Sequence, residues 1–140
     1  MAERFIVNVE VIVERDGKYL LIVRSEEEEF GAGWLSFPGG KLETSTPDMQ
    51  ALELTAQREL KEEVGLDVAL DDLRYVESHI FFIGEDPVLD VVMMTSAAIG
   101  EPVAVDPREV AGIVWKTPAE ILADPNIPEW TQNSVTLSIT

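Results

Sequence analysis

An α/β layered domain is the architecture this sequence predicts, and three observations predict it. Apolar, β-branched segments of strand length recur along the chain, one long helical pattern runs over residues 47–64, and a second helix opens at Thr117-Pro118. Mixed strands around one central helix bury their apolar faces in layers. With 140 residues, the chain reads as a single domain over 1–140, with a core over about 5–124 and a tail over 125–140 that has no clear periodicity. That size supports a core without covalent staples.

Residues 5–13 (FIVNVEVIV) are β-branched and partly alternating, which predicts a strand. Asp16-Gly17 then supplies a hairpin turn signal, and residues 19–24 return as a buried strand. The four glutamates Glu26 to Glu29 predict a solvated loop. Trp34-Leu35-Ser36-Phe37 leads into Pro38-Gly39-Gly40, read as a tight glycine turn that brings carbonyls close to a ligand or ion. Thr46-Pro47-Asp48 is a helix start, with a hydroxyl cap, a proline and an acid. Leu52, Ala56, Leu60 and Val64 then form an apolar stripe, and Gly65 ends the helix. Residues 73–83, 88–99 and 110–115 read as further strands, and Thr117-Pro118-Ala119-Glu120 repeats the cap-then-proline signal.

Composition excludes several roles. The net charge is −17, from 27 acidic and 10 basic residues. A surface so acidic repels nucleic-acid backbones and anionic membranes. No apolar run reaches the roughly 20 residues that span a bilayer. The absence of cysteine removes disulfides and thiolate metal sites, and fits a reducing, cytoplasmic setting. The N-terminal residues lack the pattern of a signal peptide.

The chemistry concentrates in Arg58-Glu59-Leu60-Lys61-Glu62-Glu63-Val64-Gly65-Leu66. Glu59, Glu62 and Glu63 stand at i, i+3 and i+4 and share one helix face. Like charges so placed repel unless a cation sits between them, and hard divalent ions take such oxygens together with phosphate. This stretch, with Phe37-Pro38-Gly39-Gly40-Lys41-Leu42-Glu43, points to metal-assisted chemistry on a phosphorylated small molecule.

These residues resemble the Nudix box, G-x5-E-x7-R-E-U-x-E-E-x-G-U, with U a bulky aliphatic residue. The right half matches at every specified position, and the likeness covers about residues 5–124. The resemblance implies a Nudix-type α/β/α sandwich with a mixed β-sheet and a central catalytic helix. It also implies hydrolysis of a nucleoside diphosphate linked to another moiety, by water attacking phosphorus with Mg²⁺ or Mn²⁺ as cofactor. Arg58, Glu59 and Glu62 would be catalytic; Glu59, Glu62, Glu63, the Gly40 carbonyl and Glu109 would hold metal. Trp34, Phe81, Phe82 and Lys41 are the candidate substrate contacts. Either Glu59 or a later carboxylate such as Glu109 would be the general base, and His79, the sole histidine, reads as structural. The resemblance allows a homodimer.

One departure stands out. Gly40 and Arg58 are eighteen positions apart, against fourteen in the family, an excess near one helical turn. The isolated glutamate of the box would fall at Thr46 counted forward and at Gln50 counted back; neither is acidic. An early helix start at Pro47 would absorb the excess, with Glu43 or Glu53 as substitutes. A catalytically weak or inactive nucleotide-sensing domain is the alternative this departure leaves open. A plain α/β domain with a solvated acidic helix is the other.

Overall fold

The computed structural model describes residues 2–28, 31–43 and 48–139. Its centre is β1 (Ile6–Arg15), which pairs antiparallel with β2 (Lys18–Arg24) and parallel with β6 (Asp86–Thr95). The turn between β1 and β2 has positive φ at both Asp16 (53°) and Gly17 (76°), the geometry that matches strand twist in a two-residue hairpin. β3 (Leu35–Ser36), β4 (Gly39–Lys41), β5 (Arg74–Ile83) and β7 (Val110–Lys116) complete a seven-stranded mixed sheet of order β3-β2-β1-β6-β5, with β4 on β1 and β7 on β2.

Alternation along β1 sorts the two faces. Val9, Val11 and Val13 pack under α1 (Ala51–Val64) against Ala56, Leu60 and Val64, all 1% exposed or less. Ile12 points the other way, into a second core with Tyr19, Phe37, Val92 and Met94. α2 (Pro118–Ala123) and α3 (Glu129–Ile139) close that side through Ile121 and Val135. The sheet therefore lies between helices, as expected of an α/β/α sandwich. Among the described residues no helix is long and apolar enough to cross a membrane.

Four expectations need correction. The central helix begins at Ala51 rather than at residue 47, because Gln50 is left-handed (φ 55°, ψ 40°) and breaks the spiral. The proposed cap, Thr46-Pro47, lies outside the described residues. The Gly39-Gly40 pair is no turn: neither glycine has positive φ, and both belong to β4, in register with Glu10 and Val9. The strand read over 88–99 stops at Thr95, and Ile99 bridges Asp67 instead. The tail, though without clear periodicity, carries α3. Other signals match, including the Thr117–Glu120 capping box and the left-handed Gly65, whose N–H reaches the Leu60 and Lys61 carbonyls.

Candidate active site

β4 pairs with β1 and runs beneath α1, so two glycines meet the acidic face of the helix. The Gly39 N–H donates to Glu63 Oε1 at 2.7 Å. A β-carbon on Gly40 would collide with the Glu59 carboxylate. Glycine is needed here for close approach, not for a turn.

Arg58 holds the neighbouring acid. Its Nη1 donates to Glu59 Oε1 at 2.9 Å and more loosely to Glu62 Oε2 at 3.4 Å, while Nη2 reaches the Lys41 carbonyl at 3.1 Å. The guanidinium thereby ties helix, carboxylate and strand together and fixes the Glu59 rotamer.

Glu59 and Glu63 open onto a cavity of about 720 Å³. Gly40, Lys41, Glu43 and Glu109 line the same cavity, as do Trp34 and Phe81. The structure thus brings together Glu59, Glu63, Gly40, Glu109, Lys41, Trp34 and Phe81. It does not bring Glu62, whose side chain is 56% exposed and which, with Arg58, borders a separate hollow on the outer side of α1. Nor does it bring Phe82, 63% exposed, because neighbouring strand residues point to opposite faces. Of the two substitute carboxylates, Glu43 lines the cavity and Glu53 is not among its lining residues. Arg24, Glu10, Asp90 and Trp130 line it too, and none was singled out from sequence. Glu10 alternates with valines in β1, a pattern that reads as a strand's wet side, and here that side faces the cavity.

The acids are crowded. Burial is the main cause that pushes the Glu63 carboxyl up to about 8, the Gly39 N–H opposing and Glu59 and Glu109 adding. Burial likewise takes Glu59 to about 7, against the pull of Arg58. An all-oxygen donor set of this kind, short of positive charge, suits Mg²⁺ or Mn²⁺, and Glu59, Glu63, Glu109 and the Gly40 carbonyl are the groups that would hold it.

A pH dependence follows for the metal-free protein. Unfolded, these carboxyls ionise near 4.3; folded, they keep their protons to about 7 and 8. Between those limits the unfolded chain binds fewer protons, so stability falls as pH rises. In chelator, the melting temperature should therefore drop steadily from pH 5 to pH 8, and Mg²⁺ or Mn²⁺ should reverse the loss at pH 8. Melting curves that are flat across this range would contradict the crowding.

Comparison with known proteins agrees with this geometry. A family model described as "NUDIX domain" matches residues 4–136. A CTP pyrophosphohydrolase of Escherichia coli is 41% identical over 71 residues, 51% of this chain and 47% of that protein, so the match spans about half the length of this curated relative. The solution structure of the Escherichia coli ORF135 protein superposes with a TM-score of 0.75 at 29% identity, covering 97% of this chain and 89% of the other. A crystal structure of a MutT NUDIX hydrolase from Burkholderia pseudomallei shares the fold, with a TM-score of 0.80 at 24% identity over 96% and 98% of the two chains.

Proposed function

The chain belongs to the NUDIX family, and from that premise we propose that it is a divalent-metal-dependent nucleotide pyrophosphohydrolase acting on CTP or a close pyrimidine relative. The observation that carries the reading is the single cavity in which a carboxylate cluster (Glu59, Glu63, Glu109) adjoins aromatic side chains (Trp34, Phe81, Trp130). One end suits a polyphosphate with its cation and the other a flat base. The pyrimidine assignment draws on the named activity of the Escherichia coli relative.

A divalent ion held by the acidic end would neutralise phosphate charge and make water a better nucleophile. The chain's own groups supply the rest. Arg24 and Lys41, the basic residues lining the cavity, hold the polyphosphate oxygens. Glu59, oriented by Arg58, takes the proton of the attacking water as its oxygen bonds to phosphorus and pyrophosphate leaves. Arg58 itself acts through Glu59, as a positioning residue. Glu62, on the outer side of α1, contributes charge balance to Arg58 rather than a contact with substrate.

A panel of CTP, dCTP, UTP, ATP, GTP and ADP-ribose, assayed for pyrophosphate and orthophosphate with Mg²⁺, Mn²⁺ or chelator, tests the reading. Metal-dependent pyrophosphate release, greatest with CTP, is expected. Nucleotide binding without release from any member of the panel would replace the hydrolase with a nucleotide sensor, the reading that the displaced box glutamate favours.

A further inference from the structure

On the face of the sheet that looks toward α3, the strand pattern buries a group of polar side chains that the hydrolytic reading does not use. Asp90 of β6 is 1% exposed and Glu10 of β1 is 9% exposed, and both line the cavity. We propose that Glu10, backed by Asp90, is the base-selecting residue of this chain: its carboxyl offers an acceptor oxygen to the exocyclic amino group of cytosine and so discriminates against uracil. The proposal rests on the nucleotide-hydrolase reading above and adds to it the residue that chooses the base.

Asp90 is held by the polar side chains around it. Asn8 stands in register with Asp90 across the parallel β1–β6 pair, and its Nδ2 donates to Asp90 Oδ1 at 2.8 Å. His79 Nε2 lies 3.4 Å from Asp90 Oδ2. Behind it, His79 Nδ1 is 2.8 Å from Glu77 Oε1, which also accepts from Ser134 Oγ of α3 at 2.7 Å. Asp90 thus accepts from Asn8 on one oxygen and has His79 beside the other. Two buried carboxylates side by side cannot both ionise cheaply. Glu10 is the one displaced, with burial first and Asp90 second pushing its carboxyl well above the usual range. A neutral Glu10 would donate its hydroxyl to Asp90 and leave its carbonyl oxygen as an acceptor at the cavity lining.

What shares the cavity shows what that oxygen would meet. Phe81 and Trp130 lie nearly parallel, 11° apart with centroids at 6.3 Å, and Trp34 adjoins Trp130 at 5.6 Å. All three line the cavity with Glu10 and Asp90. Aromatic faces hold any base by stacking, without choosing among them. Choice needs polar atoms at the base edge, and a site built to pair them rejects the analogue that leaves them unpaired. Cytosine and uracil differ where one has an amino donor and the other a carbonyl. Against uracil, the Glu10 oxygen faces another acceptor. Turning its proton outward to relieve the clash would strip the buried Asp90 of a hydrogen-bond partner inside the protein.

A cation offers a rival use, since ligand atoms of Glu10, His79 and Asp90 lie within 4.8 Å of one another.

Steady-state kcat/KM for CTP and UTP in the wild type, Glu10→Gln and Glu10→Met is the test. Glutamine keeps an N–H for Asp90 and a C=O for the cavity, so the wild-type preference for CTP should survive within a few-fold. Methionine fills the same space without an acceptor, and the CTP/UTP ratio should fall on the order of 10- to 100-fold. A residue that merely supports the fold would lower both substrates alike and leave the ratio unmoved; that result overturns the proposal. So does a glutamine variant that loses the preference, which decides the matter even if the methionine variant does not fold. Mn²⁺ calorimetry in which Glu10→Gln binds one ion fewer than the wild type would overturn it in favour of a cation site. If the wild type hydrolyses neither nucleotide, the parent reading fails on its own, and the same ratio taken from CTP and UTP dissociation constants still tests Glu10.

Discussion

Glu63→Gln should lose turnover on the order of a thousandfold while the protein stays folded. Metal-assisted neutralisation of a phosphoryl transition state is worth several kcal/mol, and each 1.4 kcal/mol or so is tenfold in rate. The substitution removes one negative charge from the ion's binding groups but retains an oxygen to accept the Gly39 N–H, the contact now made at 2.7 Å. Charge and architecture are therefore separated. Without metal the variant should melt no lower than the wild type at pH 8, since a buried carboxylate that resists ionisation is gone. With saturating Mg²⁺ or Mn²⁺, the wild type should gain thermal stability and the variant should gain little. Full activity in Glu63→Gln would remove the Glu63 carboxylate from the mechanism.

The paired glycines of β4 should respond to alanine in opposite ways. At Gly39 the added methyl meets the Val9 carbonyl oxygen and lies 2.9 Å from the Glu10 Cα, both backbone atoms of the central strand. Backbone does not swing aside, so Gly39→Ala should cost stability at the upper end of overpacking penalties, about 3 kcal/mol, read from denaturant unfolding. At Gly40 the methyl meets the side chain of Glu59. That carboxylate can rotate, at the expense of its 2.9 Å bond to Arg58. Gly40→Ala should therefore fold almost normally and lose activity about a hundredfold, chiefly in kcat. Equal effects at the two positions would mean that the strand, not the acid, is what the glycines protect.

Much of this architecture was legible because strong local signals coincide with it. The Asp16-Gly17 turn, the Thr117 capping box and the Leu52–Ala56–Leu60–Val64 stripe each follow from short-range chemistry. What escaped depends on packing at a distance. α3 buries Thr131, Ser134 and Ser138 with Val135 as their one apolar companion, so it has no hydrophobic period to read. Gln50 adopts a left-handed backbone that no residue type announced, and the helix starts a turn late for that reason. Gly39 and Gly40 read as a turn since their need for a missing side chain arises from β1 and Glu59, elements far away in sequence. The same holds for the site. Glu59 and Glu63 declare themselves by spacing, whereas Glu10, Arg24 and Trp130 join them through tertiary structure alone.

The parallel pairing of β1 with β6 also sets the order in which this chain can acquire its shape. Asn8 and Asp90, partners across that pair, are 82 residues apart. The β1–β2 and β5–β6 hairpins close short loops and can form early, but the middle of the sheet cannot be zipped until β6 exists. Distant parallel pairings of this sort slow folding, because the entropy of closing the loop is spent before the contacts repay it. During synthesis the β-branched flank of β1 therefore waits, exposed, while some eighty further residues emerge. Over residues 6–13 of that strand, Asn8 and Glu10 interrupt an otherwise apolar ribbon and guard the nascent chain against sticking to its neighbours.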